Sequence, residues 1–155
     1  MKDSKKKKDV FSAALECVSR ASLSEFELAS RLERKLYSNE EVREAVKKMV
    51  DYGYVDNAKV ADALVRKAQR DCRGPRWLQS YLIKKRIPRE ISKDALNTLS
   101  AISAELASQI LFARVAKLRA SEDFNKAKLY RFLAGRGFYP EAIHKAFNAL
   151  ENHQS

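Results

Sequence analysis

Apolar residues recur along this chain at spacings of three and four, the pattern that places one buried face on an α-helix. The pattern predicts a first helix over Val10 to Arg20, a second that begins at Ser24 and a third that begins at Ser38. Each of these serines is followed three residues later by a glutamate, the arrangement of a capping box at a helix start. Gly53 is expected to end the third helix, because glycine readily adopts the left-handed conformation found there.

The same pattern returns in a second stretch. Asp56 is the expected N-cap of a long helix, Gly74-Pro75 starts a short helix that runs to about Arg86, and another helix follows Pro88. Proline fits the first turn of a helix, because its missing N–H would have no partner there.

A third stretch follows the same plan. It predicts a long helix over Ile102 to Leu118, a break at Ser121 to Phe124 and a short helix over Lys126 to Ala134. Pro140 then opens the last helix.

Alignment of the three short helices reveals a repeat with a period of about 50 residues. The corresponding apolar positions are Leu28, Leu78 and Leu129; Leu32, Leu82 and Leu133; Tyr37, Ile87 and Phe138; and Val42, Ile91 and Ile143. The predicted fold class is therefore all-α, a tandem array of three three-helix repeats, elongated and curved. The predicted division is a disordered basic tail over residues 1–9, repeats over 10–56, 57–101 and 102–151, and a tail over 152–155.

The overall charge favours an anionic partner. The formal net charge is +11, so a polyanion or an acidic protein surface is the expected class of partner. Apolar residues make up 45% of the chain, which is enough for a packed core.

Residues with catalytic or metal-binding chemistry are sparse. Cys17 and Cys72 fit neither a metal spacing nor a disulfide framework, and neither His144 nor His153 has a ligand neighbour at metal-binding spacing. Gly135-Arg136-Gly137 lacks the flanking strand and the lysine of a phosphate loop. We therefore expect a protein that is not an enzyme and uses no cofactor or metal. No apolar run approaches the roughly 20 residues of a membrane span, so we expect a cytoplasmic protein without a membrane partner.

Positive charge concentrates in the middle of the chain, where nine lysines or arginines between Arg66 and Arg89 accompany a single acid, Asp71. Arg66, Arg70 and Arg73 follow helical spacing and form a stripe that leads into the Gly74-Pro75 helix. Such a stripe can pair with phosphates or with the carboxylates of a protein. A solvated helix face is the alternative explanation for a run of charge.

The candidate binding residues are the cations of this stripe, one aromatic residue and a smaller basic group in the third repeat. Trp77 is placed to stack on a base or to anchor an interface, and core packing is its alternative role. The full candidate set is Arg66, Arg70, Arg73, Arg76, Trp77, Lys84, Lys85, Arg86, Lys126, Lys128, Arg131 and Arg136.

Three stretches of sequence carry a resemblance to a known family. They are Asp51-Tyr52-Gly53-Tyr54-Val55-Asp56, Arg73-Gly74-Pro75-Arg76 and Leu129-Tyr130-Arg131-Phe132-Leu133-Ala134-Gly135-Arg136-Gly137-Phe138. In these stretches, and in their order and spacing over roughly residues 10–150, the chain resembles the RecX regulators of the bacterial RecA recombinase.

The resemblance implies a non-enzymatic regulator that binds the filament of RecA on single-stranded DNA. Members of that family lie in the filament groove, contact adjacent protomers, and reduce ATP hydrolysis, strand exchange and co-protease activity. A role in recombination, DNA repair and the SOS response follows from this resemblance, with the chain expected to be a monomer. Two alternatives from other classes are a sequence-independent DNA-binding helical module and a structural adaptor for another protein.

Overall fold

A computed structural model describes residues 6–119 and 125–155, and all regular secondary structure in these two ranges is α-helical. The helices are α1 (Val10–Arg20), α2 (Glu25–Arg34), α3 (Asn39–Asp51), α4 (Asn57–Arg70), α5 (Pro75–Lys84), α6 (Arg89–Ala101), α7 (Ser103–Arg119), α8 (Lys126–Gly135) and α9 (Pro140–His153). The predicted all-α class is confirmed. The predicted break at Ser121 to Phe124 lies outside the described residues.

Short-range capping interactions define the helix starts, as the sequence predicts. The hydroxyl oxygen of Ser24 accepts a hydrogen bond from the Glu27 N–H, and the Glu27 carboxylate accepts one from the Ser24 N–H. Ser38 and Glu41 form the same reciprocal pair at the start of α3. Asp56 accepts from the N–H of Ala58 at 2.9 Å at the start of α4. These bonds occupy N–H groups that a helix start otherwise leaves without a partner.

The described chain divides into two compact units. The first contains the described residues up to Val60 together with Lys85–Ile87, and the second contains Ala61–Lys84 and Pro88–Ser155. In the first unit, α1, α2 and α3 all pack against one another. Their shared core includes Ala14, Leu28, Leu32, Ala45 and Met49.

In the second unit, α7 packs mainly against α9, α5 packs against α6, and α8 packs against α9. The largest fully buried side chains of this unit are Leu78, Leu82, Leu99, Leu111, Leu129, Leu133, Phe138 and Ile143. Several of them are the positions that the repeat alignment matches.

The short helices α2, α5 and α8 end in the same local way. Each is followed by a residue with a positive φ: Leu36 at 65°, Arg86 at 49° and Gly137 at 96°. The next residue in each case is buried, and these residues are Tyr37, Ile87 and Phe138. These local similarities are consistent with a repeat, and the division into three repeats stays a prediction.

One element differs in detail from the sequence expectation. The helix α5 ends at Lys84 rather than about Arg86, because the positive φ at Arg86 turns the chain out of the helical path. Residues 6–9 precede α1 within the first unit, where Tyr37 donates a hydrogen bond to the Lys8 carbonyl oxygen at 2.6 Å.

Within the described ranges, no single helix is long and apolar enough to cross a membrane. The segments Arg89–Ala101 and Ser103–Leu118 reach that length and composition only as a pair, which is bent by 51° at the break. The apolar residues Leu106, Leu111 and Val115 of α7 are buried in the second unit.

Candidate functional site

Two of the predicted binding residues, Arg76 and Arg136, contribute backbone groups to a close contact between two glycines. The Gly74 N–H donates to the Arg136 carbonyl oxygen at 2.9 Å, and the Arg76 N–H donates to the Gly137 carbonyl oxygen at 3.0 Å. A Cβ atom on Gly74 would lie 2.4 Å from the carbonyl carbon and oxygen of Gly137, a distance that no side chain permits. The start of α5 is therefore held against the turn that follows α8.

This contact, which we call the glycine junction (Gly74 and Gly137), joins two of the stretches singled out in the sequence. The stretch from Arg73 to Arg76 precedes and begins α5, and the stretch that ends at Phe138 includes α8 and its turn. Phe138 is completely buried directly after the junction. Arg136, from the end of the third-repeat basic group, therefore lies beside the start of α5.

Arg136 reinforces the junction through its side chain. Its Nε donates to the Cys72 carbonyl oxygen at 3.0 Å, and its guanidinium also donates to the Asp71 carbonyl oxygen. These carbonyls lie just beyond the end of α4, where backbone acceptors need partners. Burial lowers the pKa of Arg136, and the positive charge of Arg73 acts in the same direction. Arg136 is thus a structural clamp as well as part of a positively charged surface.

Several arginines of the second unit lie against aromatic rings. The Arg76 guanidinium lies 4.9 Å from the ring centre of Tyr139, and Arg114 lies 4.8 Å from that of Phe132. The rings of Trp77 and Tyr81 are 4.6 Å apart and tilted by 41°. The Trp77 ring packs on Tyr81, and because Trp77 is only half-buried, part of its surface stays accessible. Such arginine–aromatic groups suit both nucleic-acid and protein partners.

Arg76 on α5 extends the arginine stripe, which from here on comprises Arg66, Arg70, Arg73 and Arg76. Arg66, Arg70 and Arg76 are exposed and Arg73 is half-buried. Among the described residues, no carboxylate forms an ion pair with these four arginines. Like charges one helical turn apart, such as Arg66 and Arg70, destabilise a helix by roughly 0.2–0.5 kcal/mol. An anionic partner would remove this repulsion.

The remaining cations of the second unit lie on α5 and α8. Lys84 is exposed at the end of α5, and Lys128 and Arg131 are exposed on α8. Lys126 forms an ion pair with Glu151 at 3.6 Å and lies 5.3 Å from the Phe147 ring centre. These two contacts stabilise the position of Lys126 at the start of α8.

Lys85 and Arg86 belong to the first unit, where both have structural contacts. The Lys85 ammonium group lies 3.0 Å from both carboxylate oxygens of Glu27, and the Lys85 carbonyl oxygen accepts a hydrogen bond from the Ser24 hydroxyl at 2.8 Å. Burial acts to raise the pKa of Glu27, but hydrogen bonds from Ser24 and Lys85 outweigh it and the pKa is lowered. Arg86 lies 4.7 Å from the ring centre of Phe26.

The first unit contains a further basic cluster that the sequence pattern did not single out. Its residues line a pocket of about 350 Å³ between α1 and α2, and are Glu16, Cys17, Arg20, Arg31, Arg34 and Lys35. The available sequence signal is the spacing of Arg31, Arg34 and Lys35, which places them close together along a helix. Within residues 6–119 and 125–155, no group of three or more His, Cys, Asp or Glu side chains is arranged to hold a metal ion.

The chain is similar over most of its length to several bacterial regulatory proteins. No protein-family model matches it. It is 33% identical over 134 residues to the regulatory protein RecX of Chlorobium limicola, a match that covers 85% of this chain and 83% of that protein. It is 30% identical over 140 residues to the regulatory protein RecX of Vibrio cholerae, covering 90% of this chain and 92% of that protein.

The fold also matches solved structures. The crystal structure of RecX from Lactobacillus salivarius superposes with a TM-score of 0.80, covering 92% of this chain and 94% of that chain at 22% identity. A second RecX crystal structure gives a TM-score of 0.75 and covers 90% of this chain and 70% of that chain.

Proposed function

This chain belongs to the RecX family of regulatory proteins, and we propose that it binds the RecA filament on single-stranded DNA and inhibits it. The expected effects are lower ATP hydrolysis, strand exchange and co-protease activity of RecA, and hence modulation of recombination and DNA repair. The proposal involves binding alone and requires no chemical step from this chain.

The arginine stripe on α4 and α5 is the observation that carries this proposal. Arg66, Arg70 and Arg76 are exposed and have no described acidic partner. The glycine junction fixes the start of α5, so Arg76 is presented from a rigid backbone. A backbone that is already ordered lowers the conformational entropy lost on binding.

A filament on single-stranded DNA is a suitable partner for such a surface. It repeats the same protein groups and the same phosphates at every step. Several weak contacts made at once give an overall affinity far above that of any single contact. A regulator with basic residues on α4, α5 and α8 can use this effect.

The test is a titration of the single-stranded-DNA-dependent ATP hydrolysis of RecA with this protein and with the R66E/R70E/R76E variant. We expect inhibition by the wild-type protein. Three exposed contacts of about 0.5–1 kcal/mol each amount to roughly 1.5–3 kcal/mol, so the variant should need about 10- to 150-fold more protein for the same inhibition.

A matched control separates the stripe from net charge. Lys47, Lys93 and Lys117 are exposed on α3, α6 and α7, so the K47E/K93E/K117E variant changes the charge equally at other places. The control should inhibit nearly as well as the wild type. An equal loss of inhibition in both variants would show that overall charge, and not the arginine stripe, determines inhibition.

Direct binding to DNA is a second candidate function, favoured by the arginine–aromatic groups at Arg76–Tyr139 and Trp77–Tyr81. In that case RecA hydrolysis would be unchanged, and the protein would bind bare single-stranded DNA tightly with a steep salt dependence. Unchanged hydrolysis without DNA binding would instead indicate an adaptor for another protein.

A further inference from the structure

The pocket between α1 and α2, which we call the α1–α2 basic pocket, has a strong excess of positive charge. Arg20, Arg31, Arg34 and Lys35 line it with a single carboxylate, Glu16, which leaves a net charge of +3 on the lining. Arg31 is half-buried, whereas Arg34 and Lys35 are exposed. The pocket is therefore a concave site to which an anion is attracted.

Glu16 neutralises only part of this charge. Its carboxylate forms ion pairs with Lys8 at 2.7 Å and with Arg20 at 2.9 Å. The Lys8 hydrogen bond and charge lower the pKa of Glu16, and the charges of Arg20 and Lys35 add to the effect. No carboxylate among the described residues forms an ion pair with Arg31, Arg34 or Lys35.

The basic segment before α1 is held close to the pocket. Lys7 donates from its ammonium group to the Leu36 carbonyl oxygen at 2.6 Å, just after the end of α2. The same ammonium group lies 4.2 Å from the Tyr37 ring centre, and the Tyr37 hydroxyl donates to the Lys8 carbonyl oxygen. Lys7 and Lys8 therefore extend the positive surface around the end of α2.

We propose that the α1–α2 basic pocket binds backbone phosphates of single-stranded nucleic acid. Guanidinium groups present several N–H donors in a planar arrangement that matches phosphate oxygens, and three arginines line this pocket. Its only apolar lining residue is Cys17, which is buried, so the pocket lacks the exposed aromatic or aliphatic anchors typical of protein interfaces. Contacts to backbone phosphates carry no sequence information, so binding through them is independent of sequence.

This inference goes beyond the proposed inhibition of RecA, because it concerns the first unit and requires no RecA, and it gives the second candidate function, direct binding to DNA, a specific site in that unit. The test is a titration of a labelled oligothymidylate with the full chain, followed by fluorescence anisotropy at several salt concentrations. An oligonucleotide of about 20 nucleotides is long enough to present several phosphates to the pocket. The R31E/R34E variant removes two cations of the pocket. The R43E/K47E variant is the matched control, since Arg43 and Lys47 are exposed on α3 in the same unit.

We expect R31E/R34E to raise the Kd at least tenfold and to reduce the slope of log Kd against log salt by about 1.4, the loss for two phosphate contacts on a single strand. The control should change the Kd less than threefold. Equal effects of the two variants, or no effect of R31E/R34E, would overturn the proposal. An R31Q/R34Q variant introduces no repulsive charge, so a raised Kd in this variant reports the loss of the arginine contacts. Circular dichroism of the same variant shows whether it has folded.

Competition identifies the chemical group that is bound. A polyglutamate peptide should displace the labelled oligonucleotide at least tenfold less effectively than unlabelled oligothymidylate, and an oligomer with neutral methylphosphonate linkages should not compete. Equally effective polyglutamate would assign the pocket to acidic protein segments and contradict the phosphate assignment. Because RecA is absent from these measurements, their failure is distinct from a failure of the RecA proposal.

Discussion

Replacement of Gly74 by alanine tests whether the glycine junction organises the second unit. The added Cβ would lie 2.4 Å from both the carbonyl carbon and the carbonyl oxygen of Gly137, and 2.5 Å from the Phe138 nitrogen. All three contacts are with backbone atoms, so a side-chain rotation cannot relieve them. The start of α5 and the turn after α8 must therefore separate.

The cost follows from two consequences of that separation. Overpacking in a well-packed region typically costs about 1–3 kcal/mol. The two hydrogen bonds that join the segments, from Gly74 to Arg136 and from Arg76 to Gly137, would lengthen or break at about 1 kcal/mol each. We expect G74A to lower the free energy of unfolding by about 3–5 kcal/mol, which is a large part of the roughly 5–15 kcal/mol typical of a folded protein.

Gly135 supplies a control with the opposite expected sign. It is the last residue of α8, and a Cβ at this position would meet no atom within 4 Å. Alanine is favoured over glycine in a helix by about 0.5–1 kcal/mol, so G135A should leave stability unchanged or raise it by up to that amount.

Urea unfolding followed by tryptophan fluorescence measures both variants. Trp77 is the single tryptophan of the chain, and its backbone nitrogen would lie 2.6 Å from a Cβ on Gly137, so it reports on the junction itself. A G74A protein within about 0.5 kcal/mol of the wild type, the usual range of surface substitutions, would refute this account of the junction.

Two further predictions concern the first unit. In urea unfolding, S24A should lower the free energy of unfolding by about 2 kcal/mol and S38A by about 1 kcal/mol. Both serines cap helices, but only the buried Ser24 also donates to the Lys85 carbonyl oxygen. Equal losses would show that the hydrogen bond to Lys85 contributes nothing. Glu27 should make stability pH-dependent: since its pKa is lower in the folded protein than its ordinary value, its contribution is present above the ordinary carboxyl pKa and is lost as the pH falls through the folded value. The wild type should therefore lose more stability than E27Q between pH 7 and pH 3, and parallel losses would contradict the role given to Ser24 and Lys85.

Local sequence was sufficient to predict where most helices begin. The bounds of α1 agree with the predicted Val10 to Arg20, and the capping boxes at Ser24 and Ser38 form as expected. These features depend on residues within four positions of each other, so they are present in the sequence itself. Pro140 likewise begins α9.

Contacts between distant residues could not be predicted in this way. The sequence indicates a helix start at Gly74-Pro75, whereas the small size of Gly74 is required by Gly137, which lies far along the chain. In the sequence Lys85 is one cation of a basic run, and in the fold it forms an ion pair with Glu27, 58 residues away. The sequence contains the charges and the glycines, but the pairs exist only after packing.

The α1–α2 basic pocket shows why a count of charge along the sequence is an incomplete guide to a binding surface. From Glu25 to Lys35 the chain has three glutamates and three cations, so this segment has no net charge and does not stand out. The helix separates the two signs: Glu25 and Glu33 line a groove of about 640 Å³ between α2 and α3, whereas Arg31, Arg34 and Lys35 line the pocket toward α1. Glu27 pairs with Lys85 and so leaves the cations unopposed. A balanced sequence can therefore fold into one strongly basic face, and the charge that a partner encounters depends on the spatial arrangement of these residues.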